Sequence, residues 1–331
     1  MADLALNISD LSVEFTRRGS VMKAVDHVSF SLAQGETLGL VGESGSGKTT
    51  IGRALLRLLP ETDTRWTGSI EYQGTDLAKL PKSGMRSMRR RLQMIFQDPL
   101  SSFNPRRRVE DIVAEGLVIQ GVAKKERDRR VRIALKDVGF DLENVAGRTP
   151  HQFSGGQCQR IAIARALAVE PELIVCDEPV ASLDVSVQAQ VINLLQDIRQ
   201  NRKLTMVFIS HDLAVVKNVS DRVAVLYRGK IVEIGPSSAI YALPAHPYTR
   251  TLLNAVPVVD GGQKIVPDRK RIEVPSRNQS INGCAFRARC PRATTICTDE
   301  EPNLDQTFAG QMVACHHPHD EPFQASFATS T

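Results

Sequence analysis

No apolar run in this 331-residue chain approaches the roughly 18 residues that a membrane-spanning helix needs. Residues Met1 to Leu11 carry neither the basic flank nor the apolar stretch of a secretion signal, so a soluble, cytosolic chain is expected. An excess of one charge is missing too. The 42 Lys plus Arg stand against 37 Asp plus Glu, a net charge of +5, too balanced to mark a nucleic-acid binder by composition. Six cysteines are too few to staple a chain of this size. Internal repeats and low-complexity tracts are absent. What is present, 42% hydrophobic residues over a length that favours about two domains, excludes wholesale disorder.

The pattern along the chain is α/β. LNISDLSVEF and VMKAVDHVSFSL read as two short strands of an antiparallel hairpin around TRRGS. ETLGLVG is a continuous apolar strand that enters the glycine-rich ESGSGK and then the helical IGRALLRLL. A hinge is expected around Gly68 and Gly74, followed by a strand in MRRRLQMIFQ and by an irregular connector, DPLSSFNPRRR, whose two prolines oppose regular structure. Val109 to about Val138 is helical and densely charged, and QCQRIAIARALA adds a further helix. ELIVCDEP and TMVFISHD are short apolar strands among helical segments, the alternation of buried parallel strands with crossover helices. VAVLYRGKIVEIG reads as a hairpin turned at Arg228-Gly229. The composition shifts beyond Pro257 toward Pro, Gly, Asn and Cys, which places a domain boundary near residue 256.

Gly42-Glu43-Ser44-Gly45-Ser46-Gly47-Lys48-Thr49 fits G-x-x-x-x-G-K-[ST] between a strand and a helix, the context a phosphate-binding loop requires. Glycines let successive backbone N–H groups curl around phosphate oxygens at a helix N-terminus. Lys48 reaches the β and γ phosphates, Thr49 offers a hydroxyl to Mg²⁺, and Thr50 continues the loop. Asp177 and Glu178 end an apolar strand, where ligands of open α/β sheets gather. Asp177 is expected to hold the metal and Glu178 to act as general base on water. His211 follows the next strand and is expected near the γ phosphate. Gln97 ends a third strand and is expected near the metal and the water. Phe15 and Val25 offer a flat apolar surface to an adenine ring if the hairpin folds over the loop. Core packing suits Phe15 equally well.

Phe153-Ser154-Gly155-Gly156-Gln157 decides the family, because Ser-Gly-Gly-Gln at a helix start has no evident intramolecular role. With it, the sequence resembles the ATP-binding subunits of ABC transporters over residues 1 to about 255. Lys48, Gln97, Ser154, Asp177, Glu178 and His211 match that family's phosphate loop, Q-loop, signature, metal carboxylate, catalytic glutamate and switch histidine in order. The resemblance implies a P-loop NTPase cassette: a parallel-sheet core, an antiparallel N-terminal β subdomain and a helical subdomain over about 98–166. It also implies a head-to-tail pair of cassettes in which Ser154, Gly155, Gly156 and Gln157 of one chain meet ATP held by the other. Ala181-Ser182-Leu183-Asp184 matches the D-loop between the two sites. Phe153 stands where the family usually has Leu, and Cys158 follows the signature where Gln, Arg or Lys is common. Neither change removes a phosphate contact. Cys158 and Cys176 are read as packing residues.

RRRLQMIFQDPLSSFNPRRRV, AHPYTRTLLNAVP and GCAFRARCP resemble the oligopeptide/dipeptide importer ATPases, and GSGKTTIGRALLRL with QDPLSSFNPR resembles the "F" member of a D/F pair. This implies a different second ATPase, two transmembrane permease subunits, an extracellular solute-binding protein and no nucleic acid. The chain would then be a peripheral protein on the cytoplasmic face of the inner or plasma membrane, importing di- or oligopeptides, with glutathione or nickel as alternative solutes. The permease groove of the family lies beside roughly Gln97 to Val138, flanked here by Arg86, Arg89 to Arg91 and Arg106 to Arg108. A soluble ABC ATPase acting on nucleic acid or ribosomes fits less well, since such proteins generally carry two cassettes or long inserted arms. A metal-binding module with a degenerate nucleotide site is opposed by the intact Lys48, Asp177, Glu178 and His211.

Residues 256–331 form the expected small, irregular Cys-rich C-terminal domain. Cys284, Cys290, Cys297 and Cys315 supply four thiolates, a set able to hold a [4Fe–4S] cluster or Zn²⁺. The spacing lacks the C-x2-C knuckles of structural zinc sites, which favours the cluster. His316, His317 and His319 could replace Cys315 as a ligand, though a polar tail explains them as well.

Overall fold

The computed structural model describes residues 4–17, 19–255, 259–260, 263–264, 282–306 and 310–323. The main sheet runs, from edge to edge, through strands Asp305–Gln306, Met312–Val313, Lys230–Pro236, Arg222–Tyr227, Thr37–Val41, Thr205–Ser210, Leu173–Asp177 and Leu92–Ile95. The five strands from Arg222–Tyr227 to Leu92–Ile95 pair in parallel. Thr37–Val41, Leu173–Asp177 and Thr205–Ser210 are buried at every position, which is why they read as unbroken apolar runs rather than alternating ones. Helices cover this sheet, among them Lys48–Leu55 after the first parallel strand and the 18-residue Val185–Arg202.

A second, antiparallel sheet joins strands Ser20–Ala33, Leu4–Arg17, Thr64–Tyr72 and Thr75–Asp76. Its first two members are 14 residues each, longer than the short hairpin expected. Bulges between Ile8 and Leu11 and between Leu11 and Val13 break the period-2 pattern and so concealed their length. Gly68, read as a hinge, lies inside Thr64–Tyr72. With φ +93° it lets the strand pass so close to Asp10 that a Cβ would stand 2.4 Å from that residue's carbonyl oxygen.

Two further expectations need correction. The strand read in MRRRLQMIFQ starts only at Leu92, because Lys82–Arg91 is a helix with Met85 its single buried residue. Gln97 accordingly stands two residues past the end of that strand. DPLSSFNPRRR is not wholly irregular either. Pro99–Ser102 forms one helical turn, capped by the Asp98 side chain, with proline at the first position where its missing N–H costs nothing. The helical segment beyond it comprises Val109–Ile119, Lys124–Asp137, Leu142–Val145 and Gly155–Ala168.

The C-terminal segment adds Met312–Val313 to the edge of the main sheet against Glu233 and Ile234. Cys284, Phe286 and Cys297 join the same apolar core as the helical segment. Phe286 is 2% exposed and packs with the rings of Tyr227 at 5.3 Å and Tyr248 at 5.4 Å. Burying such a ring is worth about 2–3 kcal/mol, so this segment is fastened to the sheet and not merely tethered to it.

Candidate functional site

Parallel pairing brings the carboxyl ends of four neighbouring strands to one edge: Ile95 beside Cys176, Asp177 beside Ile209, and Val41 beside Ser210. The residues that follow these ends are Gln97, Glu178, His211 and the phosphate loop. They are far apart in sequence and adjacent in space, at the position where open α/β sheets bind ligands.

Two of the loop's glycines are sterically fixed. A Cβ on Gly42 (φ +151°) would lie 2.2 Å from the Leu226 carbonyl oxygen, and one on Gly47 (φ +112°) would lie 2.6 Å from that of Ala24. The N-terminal hairpin therefore folds over the loop, with Ala24 and Val25 against Gly47. Val25 is fully buried and Phe15 half-buried against the same core. Lys48 is 4% exposed, and its Nζ donates to the carbonyls of Gly42 at 2.8 Å and Glu43 at 3.1 Å. Ser46 Oγ is buried with no hydrogen-bond partner. A buried ammonium with an orphaned hydroxyl beside backbone amides is a cradle suited to phosphate.

Thr49 Oγ1 donates to Asp177 Oδ1 at 2.8 Å, which unites the two residues expected at the metal. Burial pushes the Asp177 carboxyl above its usual range, and the neighbouring Glu178 charge adds to this. A hydroxyl and a desolvated carboxylate at this spacing suit a hard, oxygen-loving cation such as Mg²⁺. Glu178 adopts a left-handed backbone, φ +46°, held by its N–H donating to the Ile209 carbonyl at 3.0 Å. Such a conformation costs a non-glycine residue about 1–2 kcal/mol, and it turns the carboxylate toward its neighbours. Gln97 Nε2 donates to Glu178 Oε2 at 3.2 Å, and His211 Nδ1 lies 3.3 Å from the same oxygen.

Ser154 Oγ accepts from the Gln157 N–H at 3.3 Å, and Gln157 Oε1 accepts from the Ser154 N–H at 2.9 Å. This capping box corrects the expectation that the motif has no intramolecular role: it starts the helix Gly155–Ala168. Ser154, Gly155 and Gln157 are nevertheless exposed, while a Cβ on Gly156 would meet Val187 at 2.3 Å. Asp184 caps the helix Val185–Arg202 by accepting from Val187 N–H. Cys158 and Cys176 are completely buried, and burial raises both thiols, consistent with packing roles. Phe153 sits edge-on to Phe140, with the Arg148 guanidinium 4.2 Å from its ring centroid.

The four C-terminal cysteines are near enough to feel one another's charge. Cys315 is pushed up to about 11, first by burial and further by Cys284, Cys290 and Cys297. The Cys284 N–H donates to the Cys297 carbonyl at 2.8 Å. Even so, among the described residues no group of three or more His, Cys, Asp or Glu side chains is arranged to hold a metal ion. The expected iron–sulfur or zinc ligand set therefore has donors of suitable chemistry without ligand geometry. Two residues near the phosphate loop, Tyr248 and Arg289, lie in segments that carried the family resemblance but gave no sign of a role at this site. Both contact Glu43 across more than 200 positions.

Comparison with known proteins agrees with this architecture. A family model described as "ABC transporter" matches residues 25–181, and one described as "Oligopeptide/dipeptide transporter, C-terminal region" matches residues 232–297. A Brucella ovis protein named as a peptide import ATP-binding protein is 50% identical over 311 residues, covering 94% of this chain and 96% of its own. Another so named, from Brucella abortus, is 51% identical over 300 residues, covering 89% and 87%. Among solved structures, cbiO1 from Clostridium perfringens, part of the ABC transporter complex cbiONQ, superposes with TM-score 0.63 at 25% identity, over 72% of this chain and 91% of its own. The ATP-binding cassette MJ0796, solved as a dimer bound to ADP and Pi, gives TM-score 0.62 at 25% identity over 70% and 98%. With half of its residues shared along nearly its whole length, the chain belongs to the ABC transporter ATPases, in the branch that carries the oligopeptide/dipeptide C-terminal region.

Proposed function

We propose that this chain hydrolyses ATP to power import of di- and oligopeptides, as a peripheral subunit on the cytoplasmic face of the membrane. The observation that carries this reading is the convergence of the phosphate loop, the Thr49–Asp177 pair and the Gln97–Glu178–His211 cluster at one sheet edge. The amides of Gly42 to Thr50, including Ser44, Gly45 and Gly47, would cradle the phosphates, Lys48 would neutralise them, and Phe15 would face the adenine. Thr49, Asp177 and Gln97 would hold Mg²⁺, which supplies charge neutralisation of the phosphoryl group. Glu178 takes a proton from the attacking water, with Gln97 orienting that carboxylate and His211 contacting the γ phosphate. The exposure of Ser154, Gly155 and Gln157 suits a role on a neighbouring cassette's nucleotide, where the helix start supplies N–H donors. We take residues 1–255 as the cassette, with its helical subdomain over about 98–166, and 256–331 as the C-terminal unit.

Among the described residues no helix is long and apolar enough to cross a membrane, so membrane passage would belong to other chains. A groove of about 900 Å³ is lined by Leu56, Met85, Phe96, Gly116, Ile119 and Gln120. Ile119 is 65% exposed, and Arg86, Arg89 and Arg90 also line the groove. We assign this groove to two permease subunits and the partner cassette to a related but different ATPase of the D/F type. An extracellular solute-binding protein would deliver the peptide. Affinity-tagged chain extracted from its native membranes with mild detergent should carry two permease chains and a second ATPase, read by mass spectrometry. Recovery on ribosomes, or alone, would overturn the assignment. ATPase stimulation by peptides, set against glutathione and nickel, identifies the solute.

We assign the four thiols a [4Fe–4S] cluster rather than Zn²⁺, a reading supported by the four thiolate donors and by a spacing without C-x2-C knuckles. Protein purified without oxygen should contain about four iron and four sulfide per chain. One zinc and no iron would refute it.

A further inference from the structure

The phosphate loop is gripped from outside by residues that lie beyond the hairpin at Arg228-Gly229. Glu43, the second residue of the loop, receives both arms of Arg289: Nη1 donates to Oε2 at 2.9 Å and Nη2 to Oε1 at 2.7 Å. The Glu43 backbone N–H donates to the Tyr248 hydroxyl at 3.0 Å. Arg289 is itself fixed. Its side chain is 16% exposed, and its guanidinium lies 5.6 Å from the ring centroid of Phe286 and 5.9 Å from that of Tyr227. It ends the turn Arg287–Arg289 between Cys284 and Cys290, so the cysteine-bearing segment presents it to the loop.

A carboxylate within an anion-binding loop is an electrostatic conflict. Lys48 and the loop amides attract the negative phosphates, and the Glu43 charge a few residues away repels them. A two-armed guanidinium pair cancels that charge and also fixes the carboxylate's orientation, which a lysine would not do. We propose that Arg289 is a positioning residue for nucleotide binding that acts through Glu43: it neutralises and orients a carboxylate whose charge would otherwise oppose the phosphates of ATP. The proposal rests on the reading of Gly42 to Thr49 as the nucleotide site. It makes the C-terminal segment a contributor to ATP affinity and not only an appendage of the cassette.

Neutralising each partner alone and then both together separates this role from a structural brace. In the full-length chain, Arg289→Gln should raise the Kd and KM for MgATP by about tenfold, a 1.4 kcal/mol effect, with kcat little changed. Arg289→Lys should recover part of the loss. The double variant Glu43→Gln/Arg289→Gln, which removes both charges, should return to near wild-type affinity. Glu43→Gln alone leaves the guanidinium unopposed and should bind MgATP more tightly than wild type. The proposal fails if Arg289→Gln binds as wild type, if the double variant is as weak as the single one, or if Glu43→Gln weakens binding. That last arm decides the matter even where Arg289 variants do not fold. A Lys48→Ala control that still binds MgATP normally would instead count against the nucleotide-site reading itself.

Discussion

Replacement of Glu178 by Gln should lower ATP turnover by about a hundred- to ten-thousandfold, the usual worth of a positioned general base, with ATP affinity unchanged. The exchange is close to isosteric. Gln97 Nε2 donates to Glu178 Oε2 at 3.2 Å, and an amide oxygen at that position still accepts. The φ of +46° is set by the N–H bond to Ile209 and does not depend on the side-chain charge. Basicity alone is therefore removed, and the loss falls on kcat. With hydrolysis stalled, ATP should accumulate in a closed pair of cassettes. Size-exclusion chromatography with and without ATP reads that association, and phosphate release reads the turnover. Turnover at the wild-type rate would remove Glu178 from the role of base.

The site was legible because its parts sit at the ends of buried parallel strands. Such strands read as continuous apolar runs, and a run ending in Asp-Glu or Ser-His places those groups at one edge once the strands pair. Elements whose patterns are interrupted were harder to read. The long N-terminal strands are broken by bulges near Asp10, and Gly68 looks like a hinge although it serves a close strand crossing. Lys82–Arg91 buries only Met85 and has no apolar stripe to betray a helix. The signature motif was legible as a family mark while its local role was not, since Ser154 and Gln157 also form a capping box. Contacts such as Arg289 with Glu43 join positions 246 apart and leave no periodic trace in either segment.

Lys48→Ala should abolish useful ATP binding, with an affinity loss of about a hundredfold or more. The reason lies in how the ammonium is stored. At 4% exposure it has little water, and its Nζ donates to two carbonyls of its own loop, Gly42 and Glu43. A charged phosphate oxygen is a stronger acceptor for such an ammonium than a neutral carbonyl, so the lysine's largest contribution is made when the nucleotide is bound. Removing it deletes the cation and strips both carbonyls of a donor, while the loop glycines, fixed against Leu226 and Ala24, cannot collapse to fill the gap. Binding of a fluorescent ATP analogue together with a thermal-unfolding control checks this. The expected result is a folded protein whose unfolding temperature no longer rises with MgATP, because a ligand stabilises only the state that binds it. A folded Lys48→Ala protein still stabilised by MgATP to the wild-type extent would mean that the phosphates are held elsewhere.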